Sequence, residues 1–334
     1  MKSDFKNGGI IMQAAYITKN GSADDIIIGD LPKPIISANQ VLIKVNAVAV
    51  NHVDTFVRSG AFQTDTDFPF VIGRDAVGQV EEVGKDVTGF SKGNWVWTNS
   101  MGYNGRQGVT SEFAAIPADR LFHVPENVEP TQLIASVHSS ATAAIVLTSV
   151  FAVNSGSTIL IEGAAGHVGT KFVQMAHILG LKVVTTSNPK DFDLLDRLGS
   201  DQRLDYQKSL KKQMSKGPIK KVDYVVDTSG KVSLQDNLQV LNVGGHVCLI
   251  TAPKSNTFKF DVRKFYTQSK TINGFVISHA PLEQIQESAK FINRLMADGY
   301  LLEDQVLQKS YEEAGWAHLK LETNSKKKKI LLTF

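Results

Sequence analysis

The sequence predicts an α/β protein of two domains, a doubly wound parallel sheet and a β-rich partner. Three observations point there. A chain of 334 residues is too long for one ordinary hydrophobic core. Its first third alternates short apolar runs with glycine-marked turns, the habit of an irregular β domain. From Ser157 onward, strand-like runs alternate with amphipathic helical segments, which implies parallel strands covered on both faces.

In chain order, residues 41–45 and 76–80 read as strands, punctuated by Gly73, Gly84, Gly89 and Gly93. Around Thr131 the pattern lengthens to helical periods. Residues 130–161 carry no charge, which raises the question of a membrane span. Gln132, Ser136, His138, Ser139, Ser140, Asn154 and Ser155-Gly156 interrupt the stretch, so it reads as a helix buried between two domains and then a strand. Strands are expected at 158–161, 182–186, 222–227, 246–250 and 272–276. The helix after the first of them places Val168, Phe172, Met175, Ala176 and Leu179 on one face. Pro281 opens another, with Ile285, Ala289, Ile292 and Met296 on one face and Gly299 just past its end. Residues 330–332 read as a strand returning to the first domain.

Composition narrows the function classes. Apolar residues make up 42% and charged residues 21%, a globular balance. The net charge of +3, much of it in the lysine run 326–329, makes no case for nucleic acid, and the run itself reads as a solvated face. The single cysteine, Cys248, excludes an intrachain disulfide and a Cys-rich zinc lobe. It lies in an apolar strand with no basic neighbour and reads as a structural thiol. Residues 1–11 contain Lys2, Asp4 and Lys6 and no apolar run resembling a signal peptide. They read as a leader without fixed structure, with Met12 an equal candidate for the start of the folded part. A cytoplasmic protein, not a membrane one, is expected.

The strongest chemical signal is the loop Gly163-Ala164-Ala165-Gly166-His167-Val168-Gly169. A strand precedes it and a helix follows. Small residues let the backbone approach a diphosphate, which the helix N-terminus and its N–H groups favour. Its GxxGxxG spacing is a variant of GxGxxG, and a glycine triplet alone is weak evidence; the strand and helix supply the context of a Rossmann dinucleotide site. The next strand ends in Thr186-Ser187-Asn188-Pro189-Lys190, with no acid before Asp191. An acid there commonly binds the ribose 2′-hydroxyl of NAD. Two hydroxyls and a lysine instead favour NADPH over NADH, the alternative being a solvated loop in which Lys190 binds nothing.

Taken together, these segments resemble the medium-chain dehydrogenase/reductase superfamily, in its zinc-independent quinone oxidoreductase branch. The resemblance is carried by Asn51-His52-Val53-Asp54-Thr55-Phe56-Val57-Arg58-Ser59-Gly60, by 70–80 with Val83-Gly84, by the glycine loop, by Leu198-Gly199-Ser200-Asp201, by Asp205-Tyr206 and by 223–230. It spans about residues 12 to 334. It implies a β-rich GroES-like catalytic domain over 1–136, a Rossmann NADPH-binding domain over 137–277 and a return to the catalytic domain over 278–334.

By the same resemblance, the positions that hold catalytic zinc in metal-dependent relatives are Asn51, Arg74 and His138 here. A guanidinium beside one histidine does not suit Zn²⁺, which takes three protein ligands and an open position; His52 and His138 read as packing or hydrogen-bonding residues. Without metal the expected acceptors are quinones or α,β-unsaturated carbonyls, which need a placed hydride and a donor for the developing oxyanion. The resemblance suggests Asn51 for that donor and places Thr142 near the nicotinamide. Tyr206 resembles a tyrosine that closes over the adenosine-side phosphates, and Thr228 falls in the matching segment 223–230. Thr251 and Phe275, at the ends of late strands, sit where a parallel sheet presents its ligand crevice. Tyr103, on a glycine-flanked loop, is able to donate a proton or stack on a flat substrate; a plain surface tyrosine is the alternative. Phe62, Tyr103 and His279 are expected to shape the pocket, with water a candidate proton source. Two departures stand out: His167 replaces a small residue in the loop, and Asn324 replaces a 2′-phosphate arginine, for which Lys326 or Lys327 could compensate. The reading is an NADPH-dependent quinone or enone reductase, a homodimer as many relatives are. The alternatives are an NADPH-binding redox sensor or regulatory protein, an adenine-rich nucleic-acid binder without turnover, and a zinc-dependent alcohol dehydrogenase.

Overall fold

Strand Gln40–Ala49 buries nearly every side chain except Lys44 and Asn46, and a strand buried on both faces belongs in the middle of its sheet. In the computed structural model, which describes residues 10–323 and 328–334, it holds that place. Its seven-stranded sheet runs Val306–Ser310, Lys329–Thr333, Gln40–Ala49, Asp75–Val83, Trp95–Thr98, Leu121–His123, with Phe113–Pro117 also pairing to Gln40–Ala49. The last strand of the chain therefore does return to the first domain, pairing Leu331 with Ala49. Asp75–Val83 shifts register against Gln40–Ala49 near Val45, and Gly78 allows the close approach: a Cβ there would lie 2.2 Å from the Lys44 carbonyl oxygen. A three-stranded sheet, Ile27–Pro32, Ile11–Ile17, Phe70–Val71, completes the β-rich unit. Ile17, Val41, Ile43, Val48, Ile72 and Ile116 are in its core.

The second unit is a six-stranded parallel sheet in the order Gln202–Asp205, Lys182–Ser187, Thr158–Glu162, Val222–Asp227, Leu241–Leu249, Thr271–Gly274. In chain sequence that is 3-2-1-4-5-6, the Rossmann arrangement. Leu160, Val184, Val225 and Val247 fill its core with Leu234 and Leu238 from a crossover helix. The fourth expected strand starts earlier than 246, at Leu241, because Leu241 is already paired with Val222. The last ends at Gly274 rather than 276.

The two units comprise residues 1–138, 296–298 and 302–334, and residues 139–295 and 299–301. The helix Leu282–Ala297, expected in the return segment, counts with the second unit through Leu295. Its buried stripe is Ile285, Ala289, Ile292 and Leu295, so Leu295 takes the place expected for Met296. Helix Pro130–Ile145 runs on into a π-turn, Val146–Val150. It is apolar and long enough to cross a membrane, but 78% of its most apolar window is buried inside the protein. Of the leader expected over 1–11, residues 1–9 lie outside the described residues, as do Asn324, Lys326 and Lys327, while Ile11 already opens the strand Ile11–Ile17 and is not part of an unstructured leader.

Candidate cofactor and acceptor sites

Thr158–Glu162 delivers the chain to the bend from the middle of the Rossmann sheet, and His167–Ile178 takes it away. Gly163 sits at φ 70°, and a Cβ on it would meet Thr228 Oγ1 at 2.6 Å. Gly169 packs so closely that a Cβ would lie 2.4 Å from the Gly163 carbonyl oxygen. Those two glycines are demanded by the chain itself. Gly166 is different: it is exposed, and an added Cβ would meet only the Gly163 oxygen, at 3.3 Å. It is the N-cap of the helix and provides no side-chain cap, so the first-turn N–H groups face a surface without a Cβ to shield it. Such a surface fits a diphosphate.

Thr228 Oγ1 donates to the carbonyl oxygens of Glu162 (2.6 Å) and Gly163 (3.3 Å), locking the turn. Beneath it, Glu162 is fully buried beside Asp227, its partner in the adjacent strand. Burial first, then the Asp227 charge, hold the Glu162 carboxyl well above its ordinary range against the Asn237 amide that donates to it. The charged form of Glu162 is thereby disfavoured, which lessens the negative charge beneath an anion on the bend. Ala164 is buried, while Ala165, His167 and Val168 are half-buried along the bend.

At the neighbouring strand tip, Thr186 Oγ1 is buried and has no hydrogen-bond partner among the described residues. Ser187 donates to the Asn188 carbonyl (3.0 Å), Asn188 caps Lys190 N (3.1 Å), and Lys190 is exposed. Tyr206 is half-buried, with the Lys231 ammonium 4.9 Å over its ring. Lys231 is a cation that sequence reasoning missed, since a lone exposed lysine after Gly230 carries no signal. Thr251 and Phe275 follow the C-terminal ends of the paired strands Leu241–Leu249 and Thr271–Gly274, Thr251 exposed and Phe275 half-buried. Thr142 is buried within helix Pro130–Ile145.

The β-rich unit holds a buried polar cluster around Asp75. Asp75 Oδ2 accepts from Asn51 Nδ2 (2.9 Å) and faces His138 Nδ1 (3.1 Å), and Oδ1 accepts from Ser100 N (2.9 Å). Burial works to raise the Asp75 pKa, but His138, the Ser100 N–H and Arg74 outweigh it and hold it below the usual range. Asn51 also donates Nδ2 to the Ala49 carbonyl (3.1 Å), and its Oδ1 accepts from Lys329 Nζ. An amide has two hydrogens, so Asn51 has none left for an acceptor's oxygen. The expectation that it donates there meets this geometry: the side chain holds Asp75 and Lys329 in place. Lys329, read as part of a solvated run, is buried. Its strand, Lys329–Thr333, pairs with Gln40–Ala49 in the middle of the sheet.

Arg74, next along the chain, is 1% exposed, and its Nε, Nη1 and Nη2 all lack hydrogen-bond partners among the described residues. The Tyr103 ring lies 5.6 Å from its Cζ and is stacked on Phe62 at 5.5 Å and 28°. Of the positions likened to a zinc site, Asn51 and His138 thus meet on Asp75, and Arg74 adds a guanidinium charge that acts on it. Among the described residues no group of three or more His, Cys, Asp or Glu could hold a metal ion. Cys248 is buried, and burial pushes its thiol up to about 12.

Strand order and bend define a dinucleotide-binding protein of the Rossmann class. Residues 37–126 match the alcohol dehydrogenase GroES-like domain and residues 168–294 the zinc-binding dehydrogenase domain. A quinone oxidoreductase of Sus scrofa is 29% identical over 301 residues, 88% of this chain and 89% of that one. A zinc-type alcohol dehydrogenase-like protein of Staphylococcus epidermidis is 30% identical over 271 residues, 78% of this chain and 77% of its own. A solved mycobacterial protein complexed with NADPH superposes with a TM-score of 0.80 at 26% identity, over 97% of this chain and all of that one. The chain belongs to the medium-chain dehydrogenase/reductase superfamily, in the quinone oxidoreductase branch.

Proposed function

We propose that the chain is an NADPH-dependent reductase of quinones or α,β-unsaturated carbonyls that works without zinc. The observation that carries the reading is the bend at 163–169, where the exposed Gly166 leaves a Cβ-free surface at a helix N-terminus that has no side-chain cap. Bound NADPH supplies the hydride. The first-turn N–H groups hold its diphosphate. Thr186, Ser187 and Lys190 receive the ribose 2′-phosphate, whose negative charge an acid at this strand tip would repel. In the β-rich unit, the Phe62–Tyr103 stack offers a flat face to a planar acceptor. Asn51 acts by positioning Asp75 and Lys329, and water delivers the proton.

The guanidinium of Arg74 supports the zinc-free part, because a fixed positive charge in the ligand set repels a dication. The reading is tested by following NADPH oxidation against a panel of quinones and enals, with metal analysis of the same sample. Turnover on at least one acceptor by protein free of stoichiometric zinc is expected. Tight NADPH binding with no turnover on any acceptor would replace the enzyme with a sensor.

A further inference from the structure

We propose that Arg74 is the receptor for a carboxylate carried by the acceptor, so that the site takes an anionic quinone or enone in preference to a neutral one; this rests on the reductase reading above. Guanidinium carries five N–H donors and stays charged. Burying it with none of them bonded is costly. Arg74 is in that state at 1% exposure: no hydrogen bond among the described residues reaches its Nε, Nη1 or Nη2.

Asp54 and Asp75 act on the Arg74 charge from nearby, but neither hydrogen-bonds the guanidinium. Asp75 serves Ser100, Asn51 and His138, while Asp54 Oδ2 accepts from Asn51 N at 2.7 Å and its Oδ1 is left without a hydrogen-bond partner among the described residues. What faces the guanidinium is the ring of Tyr103, a weak substitute for an anion. Other positive charge gathers here. Arg106 bonds the Ser100 carbonyl through Nη2 (3.2 Å), and its Nε has no hydrogen-bond partner among the described residues. Burial first, then the charges of Arg120 and Arg74, bring Arg106 down to about 10, with Asp119 opposing. A planar ligand bearing a carboxylate answers both features. Its conjugated face packs on Phe62 where the Tyr103 ring now lies, and its two oxygens meet the Arg74 fork. Tyr103, half-buried on its loop, is the side chain that must yield to admit it.

Binding without turnover tests this separately from catalysis. Benzoate and its uncharged counterpart benzamide are titrated calorimetrically into the protein with and without NADP⁺, where no hydride moves. Benzoate is expected to bind at least about tenfold tighter than benzamide. Arg74→Met should weaken benzoate roughly 10- to 100-fold, leave benzamide unchanged and melt no lower than wild type. Arg74→Lys, which keeps the charge but loses the fork, should fall between, and Arg106→Gln should weaken benzoate by a smaller factor. In turnover, Arg74→Met should raise KM for 4-oxopent-2-enoate by a similar factor and leave KM for pent-3-en-2-one in place. Wild-type protein that reduces neutral quinones yet binds benzoate no better than benzamide overturns the inference and leaves the reductase reading standing. A benzoate preference that survives in Arg74→Met and Arg74→Lys overturns it as well.

Discussion

The Lys329 ammonium, in the last strand of the chain, donates to the side-chain oxygen of Asn51 at the start of the first helix. Both residues are buried. Burial lowers the Lys329 pKa, while Asp75, Asp54 and Asp304 pull it back up. The bond also fixes the amide's orientation, since only the oxygen of Asn51 can receive an ammonium, and its nitrogen is thereby turned to Asp75. Lys329→Met therefore leaves an unmade acceptor and removes a positive charge that interacts with Asp75, Asp54 and Asp304. We expect a loss of about 3 kcal/mol in urea unfolding, with Asn51→Ala costing less because it removes no charge. Equal stability of wild type and Lys329→Met would show that the ammonium is not buried in solution.

Asp54 gives this region a pH dependence. Burial first, then the Asp75 charge, push its carboxyl up to about 7, against the pull of Arg74, the Asn51 N–H and Lys329. From its ordinary pKa of 3.8 up to about 7, the unfolded chain has released this proton and the folded chain keeps it. The folded state binds more protons there, so this group lowers stability as pH rises through that window. Below about 4 it contributes no difference, and above about 7 the loss levels off at a few kcal/mol. Asp54→Asn keeps an acceptor for Asn51 N and never ionises. Its unfolding midpoint should match wild type at pH 4 and exceed it increasingly at pH 6 and 8; a constant offset across pH would remove Asp54 from the account.

Periodicity made the second unit legible almost strand by strand, because a parallel sheet covered on both faces writes itself as apolar runs between helices. The bend was legible for a related reason: Gly163 is favoured by its own positive φ and Gly169 by backbone contacts within a few residues of itself. The Asp75 cluster was not. Asn51 and Lys329 are 278 positions apart, and a lysine in a basic run looks solvated until the strand pairing carries it indoors. Arg74 could be located from the resemblance, but its lack of partners depends on where Asp54, Asp75 and Tyr103 each point, and no local pattern encodes that.

The three glycines of the bend should separate folding from binding. Gly169→Ala forces a Cβ to 2.4 Å from the Gly163 oxygen and 2.7 Å from Ala164 Cα, both backbone atoms that cannot swing away. It should cost about 1–3 kcal/mol in the free protein and weaken the coenzyme too. Gly166→Ala meets one atom at 3.3 Å, so the free protein should melt within a few degrees of wild type. Its added methyl nevertheless stands on the surface proposed for the diphosphate. Coenzyme affinity measured by fluorescence titration should fall about tenfold or more. Unchanged affinity in Gly166→Ala would move the diphosphate off this bend.

Lys190 offers the sharpest division between the two coenzymes. It is exposed beyond the strand Lys182–Ser187, with its backbone pinned by Asn188 and its ammonium at a tip that has no acid before Asp191. A lysine bound to a phosphate contributes about 1.5–3 kcal/mol through charge-assisted hydrogen bonds, and only NADPH has a phosphate at the 2′ position. Lys190→Ala should therefore raise the dissociation constant for NADPH roughly tenfold or more while leaving NADH within about twofold, and the difference should shrink as salt screens the pair. Equal weakening of both coenzymes would mean that Lys190 acts through the loop's shape. A wild-type preference for NADH would take the 2′-phosphate role from Ser187 and Lys190 together.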